Sequence, residues 1–131
     1  MMITTLLLAL ALAPSGKDDV LWVEGEAAKT RQVGPPHSWY NSIKKDLLSG
    51  GDWVSNFSDK DGLVGYEIQV PKAGTYALWV RANPIGAALA WKIGDGPWKE
   101  VPTGKSVDQV NLASDNRPDM RFVAWMNAGP V

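Results

Sequence analysis

The chain has 131 residues, 45 % of them hydrophobic, with 13 basic and 14 acidic side chains and a formal net charge of −1. That length suits one domain with one core, and the near-neutral balance lacks the basic surface that a phosphate backbone demands, so nucleic acid is not expected as a partner. The absence of cysteine and the single histidine, His37, exclude a disulfide scaffold, a thiolate metal site and a histidine-rich zinc site.

In chain order, "MMITTLLLALALAPSG" comes first. Its apolar run Ile3–Ala13 has the length of a signal-peptide core and is too short to span a bilayer. Ala11-Leu12-Ala13 fits the small-residue cleavage rule, although the segment carries no Lys or Arg and Pro14 follows the site. The expectation is a secretory signal over 1–16 and a mature domain over 17–131. The protein would then be secreted, periplasmic or at the cell surface, free of the membrane after processing. The alternative is an apolar N-terminal strand.

"VLWVEGEAA" reads as a strand from Val20, with Leu21, Val23 and Gly25 on one side and Trp22, Glu24 and Glu26 on the other. A polar stretch punctuated by Gly34-Pro35-Pro36 follows. Within it, "SWYNSIKKDLLSGG" predicts one short helix in a long loop. Ile43 and Leu47 are four apart, Asn41 or Ser42 caps the start, and Gly50-Gly51 ends it.

From Trp53 the pattern is β. "LVGYEIQV" puts Val64, Tyr66, Ile68 and Val70 on one face, "PKAG" is a turn, and "TYALWVRAN" puts Tyr76, Leu78, Val80 and Ala82 on one face. A hairpin with Val70 opposite Tyr76 buries all eight together. It also sets Trp79 opposite Glu67 and Arg81 opposite Gly65, with Glu67 as a diagonal partner for Arg81. The loop Lys29–Leu48 is expected to cover Trp79. "LAWKIGDGPWKEV" predicts a second hairpin around Gly-Asp-Gly, with Leu89, Trp91 and Ile93 on one face. "VDQVNL" and "RFVAWM" are two further strands. Short strands separated by Gly/Pro turns predict an all-β antiparallel sandwich. The chain ends at "NAGPV" directly after a strand, and a fragment of a longer protein, lacking its last strands, is expected.

"EGEAA", "SGGDWV" and above all "GYEIQVPKAGTYALWVRAN" resemble carbohydrate-binding modules of families 6 and 35. In these modules a Val-Pro-x-Ala-Gly turn joins two strands that end in an arginine. The resemblance spans roughly Val20 to Val131. It implies a jelly-roll β-sandwich of the galactose-binding type and the binding of a poly- or oligosaccharide. It also implies a structural calcium ion and a monomer attached to further domains of a secreted protein. The last two strands of such modules, with an acid that helps hold calcium, have no counterpart here.

A sugar ring offers an apolar C–H face ringed by hydroxyls, so its site needs an exposed aromatic beside hydrogen-bonding side chains. "WYN" at Trp39-Tyr40-Asn41 and "WMN" at Trp125-Met126-Asn127 have that composition. The candidate carbohydrate-binding residues are Trp39, Tyr40, Trp53, Arg81, Asn83, Trp125 and Asn127. The same rings could instead plug the gap between loop and sandwich, as in a protein-interaction or spacer domain. Glu24 and Glu26, on one side of a strand, are either calcium ligands, as the resemblance implies, or solvated acids guarding an edge. "SDKDG" at Ser58–Gly62 lacks the further acids of a calcium loop and reads as a turn. No Gly-x-Ser-x-Gly elbow occurs and nothing assembles a nucleophile, base and orienter, so the segment is expected not to be an enzyme.

Overall fold

The structure is a computed structural model and describes residues 8–12, 20–36, 41–86 and 88–131, the first of these as backbone. The described chain is all-β. Its strands are β1 (Leu8–Leu12), β2 (Val20–Trp22), β3 (Thr30–Gln32), β4 (Leu63–Gly65), β5 (Tyr76–Ala82), β6 (Ala90–Trp91), β7 (Lys99–Glu100), β8 (Ser106–Asn111) and β9 (Phe122–Pro130). Five form one antiparallel sheet in the order β2-β1-β5-β9-β8, while β3-β4 and β6-β7 form separate antiparallel pairs. No helix among the described residues is long and apolar enough to cross a membrane.

β1 comes from the apolar run whose features suit a leader. It lies between β2 and β5, with Leu10 paired to both Leu21 and Leu78. The rest of that run's flanks lies outside the described residues.

β5 alternates as the sequence predicts. Tyr76, Leu78 and Val80 are buried in the main core, with Met126 and Ala128 from β9 and Leu89, Trp91 and Val101 from the β6-β7 hairpin. Burying the Trp91 indole leaves its N–H in need of an acceptor, and it donates to the Ala128 carbonyl at 3.2 Å.

The expected hairpin between β4 and β5 does not form. β4 pairs with β3 (Thr30 opposite Gly65, Arg31 opposite Val64), and both edges of β5 are taken by β1 and β9. Alternation cannot distinguish two strands side by side from two strands facing each other across a core. Either arrangement allows Ile68 to pack with Tyr76 and Leu78, as it does. Gly65 favours the observed pairing, because a Cβ there would meet Thr30 Oγ1 at 2.3 Å. Val70 is consequently exposed rather than opposite Tyr76. Glu67 meets Lys29 at the surface instead of Arg81.

The expected helix shrinks to a 3-10 turn at Lys45–Leu47. Ile43 is instead extended and bridges Ala113, with Lys44 N–H donating to the Leu112 carbonyl at 2.7 Å and Ser114 N–H to the Ser42 carbonyl at 3.1 Å. A residue so paired cannot also be helical. Ile43 and Leu48 are buried, not Ile43 and Leu47, which is 40 % exposed. They form a second cluster with Leu112 and Val123, against which Trp53 and Val110 pack. The long loop therefore covers the outer face of the large sheet near Val123.

The second hairpin forms as predicted, with Trp91 opposite Lys99 and Gly94 at φ +54 in its turn. Leu89 and Trp91 are buried, but Ile93 lies beyond the end of β6 and is 66 % exposed. β8 and β9 pair with each other, with a bulge between Val107 and Val110.

Arg121 fastens the β8-β9 connection to the long loop. Its buried guanidinium donates to Asp119, to Asp115 at 2.8 Å and to the Ser42 carbonyl at 3.1 Å. The Arg117 backbone N–H and then Arg121 hold the Asp115 carboxyl below its usual range. The Arg121 side chain, followed by its backbone N–H, does the same for Asp119. Carboxyls lowered in the folded state stabilise it above the unfolded value of about 3.9, and that contribution is lost as pH falls through their folded values. Thermal melts of the wild type should therefore fall steeply below about pH 4. Asp119→Asn should melt lower at neutral pH and show a flatter acid dependence. Equal acid slopes in the two proteins would contradict this.

Candidate functional site

The face of the large sheet turned away from the main core carries the chemistry. β5 and β9 set Trp79 opposite Asn127 and Arg81 opposite Trp125 on this face. A bulge between Leu78 and Trp79 adjusts the register, and Gly129 at φ +96 supplies the left-handed backbone it needs. The Asn127 amide oxygen accepts the Gly129 N–H at 2.9 Å, so Asn127 is partly committed to shaping this bend.

Trp22 joins the face from β2. Its ring meets Trp125 edge-on, with centroids 5.6 Å apart and planes at 72°, the arrangement that ring quadrupoles favour. Trp22 is 50 % exposed. Its Nε1 donates to Glu24 Oε1 at 2.7 Å, and Glu24 Oε2 accepts from Ser49 Oγ at 2.8 Å. Glu24 thus orients the ring and ties the end of β2 to the Ser49-Gly50 turn.

Beside this pair lies a cleft of about 40 Å³ lined by Glu24, Asp52, Trp53, Arg81, Asn83 and Val123, among others. Arg81 Nη1 reaches the Leu47 carbonyl at 3.5 Å, while its buried Nε has no partner among the described residues. The loop thus rests on Arg81 as well as on the Val123 cluster. Asn83 donates to the Met120 carbonyl and accepts the Ile85 N–H at 2.9 Å. Together these two contacts use one of the two amide hydrogens and one of the two oxygen lone pairs of Asn83. Asp52 accepts the Trp53 N–H at 2.9 Å and faces Lys45 at 3.5 Å.

β2 ends at Trp22, so Glu24 and Glu26 do not share a strand face. They flank the start of a 3-10 turn, Gly25–Ala27. The turn nevertheless brings both carboxylates to Gly50. A Cβ there would lie 1.7 Å from Glu26 Oε1 and 3.3 Å from the Glu24 carboxyl carbon. Glu26 Oε2 is buried and has no partner among the described residues. No group of three His, Cys, Asp or Glu side chains that could hold a metal occurs among those residues. Ser58–Gly62 is organised by the buried Asn56, which accepts the Gly34 N–H at 2.8 Å and donates to the Lys60 carbonyl at 2.9 Å.

Of the residues proposed from sequence, the structure brings Trp53, Arg81 and Asn83 to one cleft and places Trp125 beside Arg81. Asn127 lies further along the same face. Trp39 and Tyr40 lie outside the described residues. Sequence reasoning missed Trp22, Ser49 and Asp52. The shared side of Trp22 and Glu24 in "VLWVEGEAA" was the available signal for the first. No protein-family model, no curated protein and no solved structure matches the chain.

Tyr66 supports the turn from below. Its hydroxyl donates to the Gly25 carbonyl at 2.8 Å, and burial raises its pKa to about 12, with Arg31 opposing and Glu26 adding to the rise. A phenol raised in the folded state stabilises it fully below the unfolded value of about 10, and that stability is lost as pH rises through 12. Ultraviolet titration should show one tyrosine ionising late, and Tyr66→Phe should remove that phase and cost about 1 kcal/mol. A Tyr66→Phe protein that keeps the late phase would refute the assignment.

Proposed function

We propose that the chain is a non-catalytic carbohydrate-binding module, a jelly-roll sandwich that binds a poly- or oligosaccharide. The observation that carries this is the half-exposed Trp22, braced by Trp125 and Glu24, beside a cleft holding Trp53, Arg81 and Asn83. A cleft of about 40 Å³ has room for roughly one water-sized group. A hydroxyl or hydroxymethyl fits there, and the sugar ring itself lies outside it, on the indoles. The motifs shared with families 6 and 35 point the same way.

A site with one stacked ring and a few solvent-exposed hydrogen bonds supports Kd values on the order of 10 μM to 1 mM. A neutral sugar should bind almost independently of salt, and an acidic one held by Arg81 more weakly as salt rises. A glycan array followed by calorimetry on Trp22→Ala, Trp53→Ala, Arg81→Ala and Trp125→Ala tests both the function and the site. We expect a loss of about tenfold for the stacked ring. Absence of any glycan ligand for the folded protein would transfer the aromatic face to a protein-interaction or spacer role. Binding that survives all four substitutions would move the site elsewhere.

The same reading includes a structural calcium ion at Glu24 and Glu26. The unpartnered Glu26 oxygen and the absent side chain at Gly50 fit a cation there. The engagement of both Glu24 oxygens leaves much of a six- to eight-oxygen shell to backbone carbonyls and water. Calcium at about 100 times its Kd should stabilise the fold by about 2.7 kcal/mol, seen as a higher melting temperature. Glu26→Gln should abolish the rise, and Gly50→Ala, which displaces the Glu26 carboxylate, should do the same. A wild type indifferent to calcium would remove the metal from the proposal.

A further inference from the structure

On the core side of the large sheet, the pairs β3-β4 and β6-β7 stand apart. Between them runs an apolar groove of about 1210 Å³ floored by the main core, including Tyr76, Leu78, Leu89 and Trp91. One bank is β4 with the segment that continues it to Val70, and the other is β6 with the tip of its hairpin. β3 and β7 contribute nothing to the lining, so β4 and β6 each turn toward the groove the edge their partner does not occupy.

Both rims are exposed and apolar: Leu63 and Val70 on the first bank, Ile93 and the 53 % exposed Trp98 on the second. Exposed apolar surface of this continuity marks an interaction site. The banks differ in charge. Asp61 and Glu67 line the first, and Lys92 lines the second, its Nζ 5.2 Å from the centre of the Trp98 ring.

An isologous contact requires a patch that complements itself after a half-turn. Turning one copy about an axis along the groove sets its acidic bank against the Lys92 bank of the other and apolar rim against apolar rim. We propose that this groove is the interface between two copies of the chain, related by such a two-fold axis. Glu67 already meets Lys29, so Asp61 is the acid assigned to Lys92 of the other copy. The interface is separate from the sugar site proposed above, on the opposite face of the large sheet, and it proposes a dimer where the sequence leads to the expectation of a monomer.

Sedimentation of the whole chain from about 1 to about 300 μM, a range that captures interfaces of modest strength, tests the proposal. We expect a reversible monomer–dimer equilibrium. Ile93→Asp and Trp98→Asp, both at exposed positions, should weaken it at least about tenfold, as removal of an interface anchor does. Lys92→Glu should weaken it about fivefold, the scale of an exposed ion pair, and adding Asp61→Lys to Lys92→Glu should restore it. This charge exchange leaves the core untouched, so it remains informative if the aspartate variants unfold. A monomer at every concentration overturns the proposal, as does a dimer insensitive to these changes. Open-ended association overturns the closed two-fold. A monomer whose tryptophan fluorescence is quenched by dodecanoate would reassign the groove to an apolar ligand.

Discussion

Strand β5 is the constraint on which the structure depends. Each of its edges is hydrogen-bonded to another strand, β1 on one side and β9 on the other. One of its faces closes the main core through Leu78 and Val80, and the other displays Trp79 and Arg81. A strand committed on four sides has no freedom of register, because a slip by one residue would carry Leu78 and Val80 to the outer face and Arg81 into the core. The positions of Trp125, Asn127 and Trp22 follow from that register. So does the groove floor on the opposite side, which includes Tyr76 and Leu78.

The outer face owes its order to two polar joints rather than to aromatic packing alone. Glu24 holds Trp22 and Ser49 at once, and Arg121 holds Asp115, Asp119 and Ser42. Both joints pin the long loop, one at each end of the segment running from Ser42 to Ser49. Between them Ile43 and Leu48 insert into the second hydrophobic cluster. A loop fixed by apolar anchors and by hydrogen bonds to the charged groups of Glu24 and Arg121 can carry Asp52 and Trp53 at a defined distance from Arg81. This is what a shallow site needs if its few contacts are to add up.

Much of this was legible in the residues. The inward set Tyr76, Leu78 and Val80 and the β6-β7 hairpin with its glycine turn follow from period-two alternation between turn signals, and β8 and β9 from short strand-like runs, "VDQVNL" and "RFVAWM". The partner of β4 was not legible, because alternation is a property of one strand and pairing is a property of two. Backbone edges carry no side-chain signature. The helix expected within "SWYNSIKKDLLSGG", on the strength of the pair Ile43 and Leu47, shrank to a turn for a related reason. An i, i+4 apolar pair describes a helix face only if the backbone is not claimed by another segment, and here Ala113, seventy residues on, claims it. In the site, Trp53, Arg81, Asn83 and Trp125 were recognisable by composition near strand ends. Trp22 became part of it only through its contact with Trp125, across a sheet order that local sequence does not encode.

The two candidate surfaces differ in physical character. The outer face is aromatic and finely hydrogen-bonded, with a cavity too small for a sugar ring. Such a surface suits a ligand that brings its own hydroxyls and stays largely in water. The groove is broad and apolar and bordered by opposite charges, so it suits a partner that brings a matching apolar surface and excludes water. β5 separates them by the thickness of one sheet, with alternate side chains pointing to one or the other. A substitution at Arg81 or Trp125 therefore perturbs the first surface without altering the lining of the second, and one at Ile93 or Trp98 does the reverse. Only residues that set the register of β5 couple them. Gly129 is the clearest of these, since loss of its left-handed backbone would shift Asn127 and Trp125 on one face and Ala128 in the core together.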